Sequence, residues 1–358
     1  MRIQHLIHTP RYSGAEILVA SLTLAHRKLG HESNVVSFAP SEADFENVIL
    51  EQEKSGTGWV TPNKLLKGIE RIVYYRQAQN QFKPDITFAH SVIPAAYARL
   101  GLLKNVIPVL HAENNYSGGG ISAAEHLLQH LSKGVIHISS LAGTLYTEKY
   151  RKPLTQCIPN GIDIELIRKS SKTRDITRKH FGFSESTTVL IQAGRVCRIK
   201  GQLLSLKATA PLLKSNLDIQ ILFAGLFEDL EYQKELQSFI KAENIEHRVH
   251  FLGPRNDIPS LLYASDVFLM PSKREAQGIA LVEALATGLP IVASDITGFQ
   301  FSRDFEGVKL VNTESLLDYT NAVNSLISPR QRHSRNLSGY DIQDTAVAYI
   351  EFAKKCIY

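Results

Sequence analysis

Short, β-branched apolar runs alternate with amphipathic helical stretches along nearly the whole chain, and the alternation is played twice. In the first half the runs are residues 3–8, 34–38, 86–89, 106–110 and 134–139. In the second half they are residues 188–193, 219–224, 249–252, 267–270 and 290–293. Runs of this length and β-branching read as buried strands rather than helices. Strands separated by helical segments imply parallel sheets, because a parallel pair needs a long crossover. The fold class is therefore α/β, with two parallel-sheet domains. Residues 15–29 carry helical periodicity and stop at Gly30, which suits a helix C-terminus. The turn Pro159-Asn160-Gly161 is the natural domain boundary, and residues 168–180 are polar and charged, as a linker or surface turn would be.

Composition removes several classes. With 44% hydrophobic residues in 358, the chain has ample apolar material to offset chain entropy, so disorder is excluded. Cys157, Cys197 and Cys356 form no C-x-x-C pair, which excludes a zinc knuckle or redox couple and suits a reducing cytoplasm. The net charge of +5 is mild. It is compatible with phosphorylated ligands or an anionic membrane surface, but it is not the dense basic stripe of a nucleic-acid binder. No apolar run reaches the length of a bilayer span, and the first residues lack a signal-peptide core. A cytoplasmic protein is expected, with peripheral attachment to the inner membrane face as an option. That option rests on Lys64, Lys67, Arg71, Arg76 and Lys83, interleaved with Leu65, Leu66, Ile69, Ile72, Val73, Tyr74 and Tyr75. Such a basic amphipathic helix either lies on anionic lipid or packs on the core with a solvated basic face.

The segment with most chemistry runs from Pro271 to Pro290, directly after the 267–270 strand. A helix is expected from near Gly278 to Gly288. At its start, Gly278 admits close ligand approach, and the free amides of the first turn, from Ile279 on, can hold an anion. Glu275 precedes the helix and Glu283 lies in its second turn, so two carboxylates flank one anion-binding helix start. That spacing suits a sugar nucleotide, with hydroxyls at both ends and phosphates between. Either glutamate alone would read as a solvated surface charge; the arrangement carries the signal. After the 188–193 strand, residues 194–201 place Arg195 and Lys200 in a glycine-bounded loop. Two cations at the carboxyl end of a parallel strand suit a diphosphate.

These motifs together resemble glycosyltransferase family 4, a retaining GT-B family that uses nucleotide sugars. Glu275 and Glu283, with seven residues between them, resemble its E-x7-E signature, and Gly194-Arg195 with Lys200-Gly201 resembles its diphosphate-binding G-R…K-G. Residues 158–163 resemble the interdomain segment, Phe251-Leu252-Gly253 the strand end beside the base, and Ser265-Asp266 also fits. The match spans nearly the whole chain in the expected order. It implies two Rossmann-like domains facing each other across a cleft. Residues 1–160, with the C-terminal helix 341–358 packed back on them, would bind the acceptor, and residues 161–340 the nucleotide sugar. By the same matching, Arg195 and Lys200 neutralise the departing diphosphate, Glu283 takes the ribose hydroxyls, Glu275 faces the transferred sugar and Arg255 neighbours the base. Gly14 stands where the family has the second glycine of Gly-Gly-x-E, with Ser13 in place of the first. His111, after the 106–110 strand, matches a histidine near the transferred sugar. Its neighbours Ala112-Glu113-Asn114-Asn115 and the loop 117–120 would shape the acceptor side.

The function this implies is transfer of a hexose or N-acetylhexosamine from a nucleotide donor, UDP-linked by family habit, to a hydroxyl of a glycan or lipid-linked glycan. Retention of configuration and a place in cell-surface polysaccharide or lipopolysaccharide synthesis follow from the resemblance. No Asp-x-Asp occurs, so neither a metal nor another cofactor is expected. Two rivals are an epimerase or hydrolase of sugar nucleotides on the same fold, and a non-catalytic nucleotide-sugar-binding partner. A nucleic-acid partner is not expected.

Overall fold

A computed structural model describes residues 1–112, 115–116, 119–151, 153–215, 218–328 and 330–358. The chain divides into two compact units, Met1–Asp163 with Ser338–Tyr358, and Ile164–Leu337.

The first unit is built on seven strands: β1 (Arg2–Ile7), β2 (Glu32–Ser37), β3 (Gly58–Val60), β4 (Ile86–His90), β5 (Val106–Leu110), β6 (Gly134–His137) and β7 (Leu154–Cys157). Their order is β3-β2-β1-β4-β5-β6-β7, parallel throughout. Strand order therefore reverses between β1 and β4. The second unit holds β8 (Thr188–Ala193), β9 (Ile219–Ala224), β10 (Val249–Gly253), β11 (Val267–Met270), β12 (Ile291–Ser294) and β13 (Val308–Val311). Its order is β10-β9-β8-β11-β12-β13, again parallel, and here the reversal falls between β8 and β11. Such switch points open a crevice at the carboxyl ends of the two strands.

The strands legible as apolar runs are the central ones and one edge, β10. All five residues of β4 and of β5 are buried, as are all six of β8. Three strands have no such run: β3 is three residues long, β7 is Leu-Thr-Gln-Cys with both ends exposed, and β13 has no fully buried residue. All three are sheet edges. An edge strand has one neighbour and no requirement for a continuous apolar face, which removes the periodic signal.

Two charged stretches differ from expectation. Residues 168–180 are not a linker; they form the end of the helix Ile164–Lys169, a 3-10 turn Ser170–Thr173 and the helix Arg174–His180. Arg178 is buried and donates to the carbonyls of Ala264, Ser184 and Thr187 at 2.6–2.7 Å. Asp266 accepts from Arg174 at 3.0 Å and from the Val189 amide at 2.8 Å, tying this helix to β8 and to the start of β11. The basic stretch is a helix only over Ile69–Phe82. Lys64 and Lys67 precede it, with Lys64 paired to Glu70 at 2.8 Å, while Arg71 bonds the Leu66 carbonyl and lies over the rings of Phe38 and Tyr97. Arg71 is thus a packing residue rather than part of a solvated stripe.

The C-terminal helix Ile342–Ile357 packs on the helix Gly14–Lys28 of the first unit. The Tyr349 ring lies tilted against that of Phe88 in β4, centroids 5.0 Å apart, and a backbone exchange joins Ile162 to Tyr340 and Ile342 at 2.9 Å each. Deeper in this unit, Arg99 meets Glu125 through two 2.7 Å bonds, with both side chains at 0% and 1% exposure, and Tyr146 donates to the same carboxylate at 2.8 Å. Truncating one member strands a buried charge. We expect Arg99→Met and Glu125→Met each to destabilise the protein by about 3 kcal/mol, and the double Met variant to cost less than the two single changes added together. Urea unfolding of the three variants checks this; additive losses would show that the pair is not coupled.

Candidate active site

In the second unit the loops after β8 and β11 both leave the switch point. The first, residues 194–201, is held by its own backbone: Gly194 donates to the Ala224 carbonyl at 2.9 Å and Val196 to that of Leu226 at 2.8 Å. Two buried glutamines brace its ends. Gln192 donates to the Lys200 carbonyl at 2.7 Å, and Gln202 donates to the Arg195 carbonyl at 2.9 Å. The second loop, residues 271–278, is joined to the first by the Lys273 amide, which donates to the Ile199 carbonyl at 2.8 Å.

These backbones bring Lys200 and Glu275 together. Lys200 Nζ donates to Glu275 Oε1, and Ser272 Oγ adds a 3.3 Å bond to the same oxygen. The side chains are 17% and 14% exposed, so the pair is partly desolvated. Gly298 sits against the Glu275 carbonyl, where any Cβ would collide with it. Arg195 is elsewhere: it pairs with Glu228, which the sequence reading did not single out, and both are substantially exposed. Arg255, after β10, forms a two-pronged bond to Asp257 at 2.8 and 2.6 Å. The structure therefore joins Lys200 to Glu275 and leaves Arg195 and Arg255 on acids of their own.

The helix expected after Gly278 runs over Ile279–Ala286. Gly278 is its N-cap at φ 76°, a conformation that favours glycine, and a Cβ there would lie 2.8 Å from the Phe299 ring. Leu281 and Val282 donate back to the Gly278 carbonyl. The amides of Ile279 and Ala280 have no acceptor among the described residues, which is the usual state of a helix start and the one that receives anions. Glu283, in the second turn, has no hydrogen-bond or ionic partner among the described residues, and burial pushes its carboxyl up to about 7. A carboxylate held in this state is ready to accept hydroxyl hydrogens.

In the first unit, Gly14 is an exposed first residue of the Gly14–Lys28 helix, and Ser13 is its N-cap. Ser13 bonds Glu16 instead of a backbone amide, so the cap is a side-chain pair. His111 follows β5, and its Nε2 lies 2.9 Å from His90 Nδ1. Burial pushes His111 down to about 4, so it is a neutral imidazole at physiological pH. Glu113, Asn114, Ser117 and Gly118 lie outside the described residues, while Gly119 and Gly120 open the helix Gly119–Leu128. Among the described residues no three His, Cys, Asp or Glu side chains are grouped to hold a metal ion.

Two family models match successive parts of this chain. "Glycosyltransferase Family 4" covers residues 12–166 and "Glycosyl transferases group 1" covers residues 173–334. The chain belongs to glycosyltransferase family 4. Among relatives of this family, the chain is 32% identical over 184 residues to an Escherichia coli UDP-Gal:alpha-D-GlcNAc-diphosphoundecaprenol alpha-1,3-galactosyltransferase. That alignment takes in 49% of this chain and 46% of the relative, so it spans about half of each. A putative glycosyltransferase of Bacillus subtilis, EpsF, is 24% identical over 82% of this chain and 79% of its own length. The fold matches the Anabaena protein HepE, solved in complex with UDP, at a TM-score of 0.76 and 21% identity, covering 100% of this chain and 97% of that one. The two parallel-sheet units are those of the GT-B architecture.

Sequence reasoning missed the residues that hold the family motifs in place: Gln192, Gln202, Ser272, Glu228 and Gly298. Only the buried polar positions inside apolar runs, such as Gln192 in β8, signalled them. Glu283 offers a direct test of its environment. Its folded-state value lies above the ordinary 4.5, so its contribution favours the fold in acid and is lost as pH rises through 7. Glu283→Gln should therefore raise stability at pH 8 by about 2 kcal/mol, and the gain should shrink to near zero at about pH 4. A gain independent of pH in thermal unfolding would refute an unpaired, partly desolvated carboxylate.

Proposed function

We propose that this family 4 enzyme transfers a hexose or N-acetylhexosamine from a UDP-sugar to a hydroxyl of a glycan or lipid-linked glycan, with retention and without a metal ion. The pathway we assign is cell-surface polysaccharide or lipopolysaccharide synthesis. The observation that carries the reading is the cluster at the β8/β11 switch point: Lys200 on Glu275, beside a helix start with two free amides and an unpartnered Glu283. Support for the donor comes from HepE, solved with UDP and with UDP-glucose, and for the acceptor class from the E. coli galactosyltransferase, whose name specifies a diphosphoundecaprenol-linked sugar.

In this reading Lys200, Arg195 and the amides of Ile279 and Ala280 bind the diphosphate, and Glu283 accepts from the ribose hydroxyls. Glu275, released from Lys200 as the lysine turns to phosphate, accepts from hydroxyls of the transferred sugar. Arg255 neighbours the base, the Gly14 loop admits the phosphates, and His111 hydrogen bonds the sugar. The bond from the anomeric carbon to the phosphate oxygen breaks as the acceptor oxygen bonds to the same face. The acceptor proton passes to the departing phosphate oxygen, and UDP leaves. The protein supplies position and fixed charge, so charge stabilisation does not require Mg²⁺.

Among the described residues no helix is long and apolar enough to cross a membrane. Contact with an anionic membrane is assigned to the helix Ile69–Phe82, where Ile69 and Val73 are 75% and 48% exposed, one turn apart, with Arg76 exposed on the same side. Ile69→Glu with Val73→Glu should abolish flotation with phosphatidylglycerol vesicles, and wild-type protein that never floats would remove this assignment.

The central test is thermal shift against UDP, GDP, ADP and CDP with and without EDTA, followed by transfer assays with a UDP-sugar panel. A midpoint rise with UDP that survives EDTA is expected. Lys200→Ala and Glu283→Ala should each lower transfer by about 100-fold or more in a folded protein. Wild-type transfer rates in both variants would overturn the site.

A further inference from the structure

The segment between the helix Leu316–Ile327 and the C-terminal helix carries Arg330, Arg332 and Arg335, and all three direct their guanidinium groups at backbone carbonyls. Arg332 donates to the Thr287 carbonyl at 2.7 Å and to those of Tyr263 and Ser265 at 2.7 and 2.8 Å. Arg335 donates to the carbonyls of Leu285 at 3.3 Å and Leu289 at 2.9 Å, and to that of Glu306 at 2.9 and 2.6 Å. Between them the His333 amide donates to the Gly288 carbonyl at 2.8 Å. One short strap thus takes up the carbonyls of Leu285, Thr287, Gly288 and Leu289. These carbonyls close the C-terminal end of the helix Ile279–Ala286, whose first turn carries the free amides of Ile279 and Ala280. The strap lies close: Gly288 stands at φ 78°, and a Cβ there would come within 2.7 Å of the His333 carbonyl oxygen.

Arg335 is 9% exposed and Arg332 is partly buried, and neither bonds a carboxylate among the described residues. A guanidinium that meets only carbonyls keeps its full charge, and here that charge sits at the negative end of a helix dipole. A helix of eight residues has little stability of its own, so the direction of its first turn depends on what holds its last. Arg330 supplies an internal contrast. It bonds the carbonyls of Glu185, Ser186 and Thr187, just before β8, and none of the helix Ile279–Ala286.

We propose that Arg332 and Arg335 are positioning residues for the donor diphosphate, clamping the C-terminal end of the helix Ile279–Ala286 so that its N-terminal amides are held at the phosphates. The clamp is a property of the second unit alone. The ligand it serves rests on the reading of this helix start as the diphosphate site.

Amide hydrogen exchange of the full chain reads the clamp without any ligand. In Arg335→Met, residues 279–289 should exchange about tenfold faster while β8 and β9 exchange as in the wild type. Arg330→Met should leave residues 279–289 unchanged. Calorimetry with UDP, well below the unfolding midpoint, should show a Kd raised about tenfold in Arg335→Met and unaltered in Arg330→Met. Arg335→Lys keeps the cation but not the planar fork, so both effects should be about threefold, and this variant decides the question if Arg335→Met does not fold. Wild-type exchange over residues 279–289 in these variants overturns the clamp, and so does an equal acceleration in β8 and β9. Local acceleration with an unchanged Kd for UDP overturns its role at the diphosphate. A wild-type chain that binds no UDP removes the reading of the site, and with it the ligand, while exchange still decides the clamp.

Discussion

Parallel pairing is the constraint on which the rest of this molecule depends. Parallel strands all end on the same side of a sheet, so every β-to-α loop of a unit is delivered to one edge. Where the strand order reverses, two such loops diverge and leave their end groups uncovered. Between β8 and β11 this places residues 194–201 beside residues 271–278, and a single backbone bond from Lys273 to Ile199 keeps them in register. The same logic in the first unit puts the end of β1 next to that of β4, with β5 beyond, which is how His5, His90 and His111 come into line.

Around these loops the protein buries ionisable groups in three different ways, and the differences separate structure from chemistry. Arg99 and Glu125 are satisfied on every side, and Arg174 and Arg178 hold Asp266, so their charge is spent on holding elements together. Lys200 and Glu275 satisfy each other but remain partly open, so either can exchange its partner for a ligand. Glu283 is satisfied by nothing among the described residues, and its carboxyl is displaced to about 7 as a result. Glu283 is only partly buried, and a partly desolvated carboxylate without a protein partner suits a group kept for a ligand the chain itself does not supply.

The legible part of the site was the part written in short local spacing. Glu275 and Glu283 lie eight positions apart across one helix start, so Gly278, Ile279 and the carboxylates could be placed from sequence and are found there. Arg195 and Lys200 were equally visible as residues, but their partners were not, because Glu228 and Glu275 lie 33 and 75 positions away. The stretch 168–180 reads as solvated because it is charged; its one buried arginine, Arg178, is covered by carbonyls of residues 184, 187 and 264, a relation no local window contains. The edge strands β3, β7 and β13 were missed for the opposite reason, having too little burial to leave a pattern.

By itself the sequence determined the alternation of strand and helix, the two-unit division of labour between apolar runs, and the chemistry of the loops after β8 and β11. Those follow from local periodicity and from glycines at positions where few other residues fit. Tertiary structure alone decided which charges meet, which carboxylate stays unpaired, and that histidines 5, 26, 90 and 111 touch in series. Strand order sets those contacts. It is chosen by the packing of whole faces against one another, so no short segment carries the information.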